Sequence, residues 1–121
     1  MKPESRALAQ ALLDHHRLVT NKHPPPVKKI GPASYPSYTI RYGLLCDRAG
    51  VGHVLRIVGN FLGEVAEWCA ENEYPPINAL AVNETGVPGE GYDGAGGFKA
   101  AHWGDDVEKC IRFTGYPAKM P

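Results

Sequence analysis

The sequence predicts a single α+β domain, and three observations carry that expectation. The length, 121 residues, suits one domain with one modest core. Two stretches, residues 4–20 and 52–73, repeat apolar side chains at three and four, the period of an amphipathic helix. Two others, residues 38–42 and 77–83, have the β-branched and aromatic content and the turn-forming borders of short strands.

The first helix, residues 4–20, gathers Leu8, Ala11, Leu12, His15 and Val19 on one face, with Arg6, Gln10, Asp14 and Arg17 mostly opposite. Asn21 and Pro24-Pro25-Pro26 end it, because proline lacks an N–H and restricts its predecessor. Residues 21–37, NKHPPPVKKIGPASYPS, form a basic proline-rich arm in which Lys28 and Lys29 stand together. A connector of this length is either a functional arm or a segment laid across the surface.

Residues 38–97 predict a helix-turn-helix-like pair, a hairpin and a glycine-rich loop. Tyr38, Ile40 and Tyr42 alternate with Thr39 and Arg41, as in a short strand. A short helix over 42–48 follows, stopped by Gly50. Val54, Leu55, Val58, Phe61, Leu62, Val65, Trp68 and Cys69 then mark one continuous amphipathic helix over 52–73. Gly59 and Gly63 inside it each cost about 1 kcal/mol relative to alanine, which points to another backbone lying close by. Residues 77–83 read as a strand, 83–86 as a turn, and 87–92 as a returning strand placed at an edge by Pro88. A mobile glycine-rich stretch extends to Gly97. Residues 98–121 hold a last helix, with Asp105 as its cap and Glu108 three positions later, followed by a tail.

Composition narrows the function. No apolar run is long enough to span a membrane, and no membrane partner is expected. Three widely spaced cysteines, Cys46, Cys69 and Cys110, fit reduced thiols in a cytoplasmic protein better than a disulfide framework. The net charge is zero but unevenly laid out: residues 1–56 carry nine Lys and Arg against three acids, and residues 57–121 four against ten. Either the basic half meets an anionic partner, or the two halves pack together and neutralise one another.

Gly89-Glu90-Gly91-Tyr92-Asp93-Gly94 matches the dinucleotide pattern G-x-G-x-x-G, yet no helix start follows it and two acids sit inside it. The glycines are better read as turn positions, and no cofactor is expected. None of the cysteines has an adjacent histidine, so covalent catalysis has no motif. His102, Asp105, Asp106 and Glu108 supply enough donors for a divalent cation and hence for a metal-dependent nuclease, although capping of the last helix explains the acids equally well.

Within 42–59, Tyr42, Gly43, Leu45, Ala49, Gly50, Arg56, Val58 and Gly59 spell a Tyr-Gly-x-Leu helix, an Ala-Gly turn and an Arg-x-Val-Gly helix. This run resembles the winged-helix domain of O6-alkylguanine DNA alkyltransferases and alkyltransferase-like proteins. The family's Pro-Cys-His-Arg signature, or its tryptophan variant, is missing from residues 76–83. The resemblance therefore implies duplex-DNA binding without alkyl transfer, with Arg56 entering the helix beside a flipped nucleotide. In other respects the chain is similar to small proteins carried by bacterial and phage genomes. The leading expectation is a non-catalytic nucleic-acid-binding module of winged-helix type, contacting its ligand through Arg41, Arg48, His53 and Arg56, with Lys28 and Lys29 adding charge. The alternative from another class is a protein-interaction domain that uses the acidic C-terminal half with Tyr92, Trp103 and Tyr116.

Overall fold

The computed structural model describes residues 1–121, and it is mainly helical. Four α-helices form in chain order: α1 (Pro3–Lys22), α2 (Tyr42–Ala49), α3 (Val58–Glu71) and α4 (Trp103–Arg112). The strands are two residues each, β1 (Ile40–Arg41) and β2 (Ala81–Val82), paired in parallel with Ile40 opposite Ala81 and Arg41 opposite Val82. Short 3-10 turns make up most of the connections. No helix is long and apolar enough to cross a membrane.

Helix α1 forms where its periodicity places it. Pro3 occupies the first turn, where a missing N–H costs nothing. The cap comes from another element: Glu64 of α3 accepts from the Lys2 amide at 3.2 Å and from Ser5 Oγ at 2.6 Å. A carboxylate there also meets the positive end of the helix. Leu8, Leu12 and Leu13 of α1 pack with Leu45, Val65, Ile77, Leu80 and Val107 in one continuous core. Helix α2 ends at Gly50, which takes the left-handed conformation (φ 72°) while Val51 N–H returns to the Cys46 carbonyl.

The expected single helix over 52–73 is divided. Gly52–Ile57 is a 3-10 turn, and regular α-geometry begins only at Val58. Val51, Val54 and Val58 point inward across the junction while Leu55 and Ile57 remain exposed. The close backbone that Gly59 and Gly63 implied is the glycine-rich loop itself. Gly91 lies against Gly59, where an added Cβ would sit 3.5 Å from the Gly59 carbonyl oxygen. Gly96, at φ 61°, lies against the Ala66 carbonyl, which a Cβ would approach to 2.7 Å. The loop expected to be mobile is therefore packed along α3.

The expected hairpin does not form, and with it goes the wing. Ile77–Leu80 is a 3-10 turn, and only Ala81–Val82 of that stretch is a strand. The turn after it is present: Thr85 N–H donates to Asn83 Oδ1 at 2.9 Å and Asn83 N–H to the Val87 carbonyl at 2.8 Å. The chain then leaves the sheet, because Pro88 has no amide and the Gly89 amide goes to Tyr42 Oη at 2.6 Å. Glu90–Tyr92 is another 3-10 turn. At the C-terminal end, α4 starts two residues earlier than expected, and Asp105 lies in its first turn instead of capping it.

Candidate nucleic-acid interface

A groove of about 470 Å³ runs between the last turns of α1, the 36–40 segment and α2. Three elements supply its cations. Lys22 and His23 come from the end of α1, Arg41 from β1, and Arg48 from the last turn of α2. Pleating explains Arg41: Ile40 turns into the core at 3% exposure, so its neighbour must face out. Arg41, Leu44 and Arg48 then follow at three and four, which aligns them along one helical face. Arg48 also lies at the negative end of α2, where a cation is favoured. Leu18 and Leu44 form apolar walls, and both are about half exposed, at 55% and 48%. No Asp or Glu lines the groove.

His15 lies in the lining, buried beneath these groups. Its Nε2 is 2.7 Å from the Tyr38 carbonyl, which can only accept, so Nε2 carries the hydrogen. Nδ1 is enclosed without a partner. Burial holds the His15 pKa below the ordinary imidazole range, and the Arg48 charge adds to the effect. The lowered pKa favours the neutral form of the histidine beneath the groove, and the positive charge belongs to Lys22, Arg41 and Arg48.

The molecule contains three ion pairs: Arg17 with Asp14, Lys29 with Asp105, and Arg112 with Glu108. Arg41 and Arg48 take part in none of them. His53 and Arg56 are likewise exposed and unpaired, on the 3-10 turn ahead of α3 and outside the groove lining. The six cations expected to act together thus fall into separate groups.

The arm is corrected most. Lys29 Nζ lies 2.8 Å from Asp105 Oδ1. The Arg112 guanidinium donates to the carbonyls of Pro26 at 2.7 Å and Lys28 at 2.9 Å, and Ile30 N–H donates to Glu108 Oε2 at 3.1 Å. Residues 26–30 of the arm are clamped to α4 through their backbone, and in that stretch only the Lys28 ammonium projects unpaired. That clamp also disperses the expected metal ligands. Asp105 faces Lys29, Glu108 faces Arg112 and the Ile30 amide, and Asp106 accepts the Tyr92 hydroxyl at 2.5 Å. No three His, Cys, Asp or Glu side chains converge as a ligand set anywhere in the chain.

The aromatics considered for a protein partner face inward. Tyr92 is buried, Trp103 Nε1 donates to the Ala79 carbonyl at 2.8 Å, and Tyr116 Oη donates to the Pro75 carbonyl at 2.6 Å. All three cysteines are buried and free. Burial pushes the Cys69 thiol up to about 11 and raises those of Cys46 and Cys110, so none is a ready thiolate.

Sequence reading missed Lys22 and His23, which it assigned to the arm, whereas the helix runs through Lys22. Their signal was present, since His15, Leu18, Val19 and Lys22 recur at helical spacing on one face. Comparison of the chain with protein-family models, with curated proteins and with solved structures finds no match.

Proposed function

We propose that the chain is a non-catalytic nucleic-acid-binding module that holds a phosphodiester backbone in the groove of Lys22, His23, Arg41 and Arg48. One observation supports this above the others: cations from three elements meet in a single concave surface that contains no acid. Phosphate neutralisation by Lys and Arg releases condensed counterions, and this sequence-independent term dominates affinity. Arginines at fixed positions add fork-shaped donors that match phosphate oxygens. Leu18 and Leu44 give the sugar edges an apolar surface to lie against. Arg56 and His53 extend the charged surface beyond the groove, and no wing takes part.

Fluorescence anisotropy with labelled duplex and single-stranded DNA, titrated with salt, tests the reading. The logarithm of affinity should fall linearly with the logarithm of salt concentration. Arg41→Ala with Arg48→Ala should weaken binding roughly tenfold at low salt and flatten the slope by nearly two. Lys28→Ala with Lys29→Ala should do little. Binding that is absent at low salt, or indifferent to the arginine pair, overturns the proposal.

A further inference from the structure

A second concavity lies on another side of the molecule, about 700 Å³ in volume, between the end of α3, the glycine-rich loop and α4. Its chemistry differs from that of the groove, because opposite charges line it together. Asp106, His102 and Lys109 come from one face of α4 and its lead-in, four and three positions apart. Lys99 comes from the loop, and Phe98 and Tyr74 supply aromatic surface. Asp105 and Glu73 line it as well, the former paired with Lys29.

Asp106 is the residue that needs explanation. The residue is only 5% exposed, yet its side chain is ionisable. Tyr92 Oη donates to Oδ2 at 2.5 Å, and no protein group donates to Oδ1. The fully enclosed unpartnered side-chain atoms in the molecule are His15 Nδ1 and Asn78 Oδ1, so Asp106 Oδ1 keeps an opening, and the cleft is the space that Asp106 lines. A bond to Tyr92 alone would be served equally by a neutral amide. A carboxylate held there lacks a donor on its open side, which is costly for a buried charge. Burial accordingly raises the Asp106 pKa above the ordinary carboxylate range.

We propose that this cleft binds a small zwitterion of the free amino acid class, its ammonium on Asp106 Oδ1 and its carboxylate between Lys99 and Lys109. A simple anion would meet the carboxylate on the floor, and a simple cation would meet the two lysines. A molecule carrying both charges satisfies both, and Phe98 and Tyr74 offer its side chain an apolar wall. This site is independent of the nucleic-acid groove and stands or falls separately.

The test is an amide chemical-shift titration of the full chain with L-phenylalanine, L-glutamine and L-lysine, against 3-phenylpropionate and phenethylamine. At least one amino acid should give saturable shifts at Gly96, Gly97, Lys99 and Lys109. Each single-charge analogue should bind at least about tenfold more weakly, the equivalent of one lost pairing of about 1.4 kcal/mol. Asp106→Asn keeps an acceptor for Tyr92 and should abolish the shifts. Lys109→Gln, on the exposed side of α4, should weaken them and decides the matter if the first variant misfolds. Arg41→Ala should leave them unchanged. Absence of saturable shifts with all three amino acids overturns the proposal, as does equal binding of either analogue or an undiminished response in Lys109→Gln.

Discussion

The clamped stretch of the arm, residues 26–30, and the groove beside α2 carry the same kind of charge and meet opposite fates. In the arm, Lys29 is paired with Asp105, and Arg112 and Glu108 hold the backbone at Pro26, Lys28 and Ile30. In the groove, Arg41 and Arg48 meet other basic side chains, neutral polar groups and apolar walls, and no acid. The difference comes from α4. It delivers two acids and an arginine to the arm, and nothing acidic reaches the groove. Packing of the two halves thus neutralises one piece of the basic half and leaves another unpaired, the piece on which the proposed anionic partner rests. Available cations in a protein of zero net charge are the ones that require a reason.

The largest stability effect should come from breaking the clamp. Arg112→Ala removes two charge-assisted bonds to arm carbonyls and leaves the buried Glu108 carboxylate with the Ile30 amide alone, at a cost of about 2–3 kcal/mol. Urea denaturation measures the loss. If DNA affinity rose sharply in this variant, the arm lysines would be held in reserve, and the contrast between the two regions would dissolve. We expect affinity to stay level.

A smaller effect concerns the buried imidazoles. His15 beneath the groove and its half-buried neighbour His16 on α1 each bond a carbonyl through Nε2 at 2.7 Å, and burial lowers both pKa values from 6.5. A depressed folded value means that unfolding takes up protons. The stabilisation is thus complete above 6.5 and is lost as pH falls through the folded values. Denaturation midpoints should decline across that window, and His15→Gln should remove part of the decline. A midpoint flat in pH would contradict the neutral histidine beneath the groove. The smallest effect should be that of Asp105→Asn. Its pair with Lys29 is solvent-exposed, so the melting temperature should not move, and the backbone clamp should hold the arm without it.

How far the sequence could be read depended on whether local or distant partners decide a residue's place. Helix α1, helix α2 with its Gly50 stop and the inward set of α3 follow from periodicity, which is a local property. The backbone approach implied by Gly59 was legible too, although nothing local said that Gly91 would provide it. The hairpin failed because its return strand contained competing demands: Pro88 offers no amide and Gly89 gives its own to Tyr42, 47 positions away. The early start of α4 was hidden in the same way, since Asp105 and Glu108 look like capping residues until the arm arrives. Of the candidate site, Arg41 and Arg48 could be named from sequence, but their companionship with Lys22 and the retirement of Lys29 are tertiary facts. Asp106 and Glu108 look like ordinary first-turn acids in the sequence, and nothing local foretells that both are enclosed.

The parallel pairing of β1 with β2 has a consequence for when the groove comes into being. Ile40 and Ala81 are 41 positions apart, with α2, the 3-10 turn and α3 between them. Closing so long a connection is entropically slow, and non-local contacts of this kind form late. Arg41 takes its place only when residues 81 and 82 have docked beside it. During synthesis, a nascent chain exposes the groove's cations well before it can arrange them. The proposed anionic ligand would thus meet an assembled groove only once the last third of the polypeptide is being made.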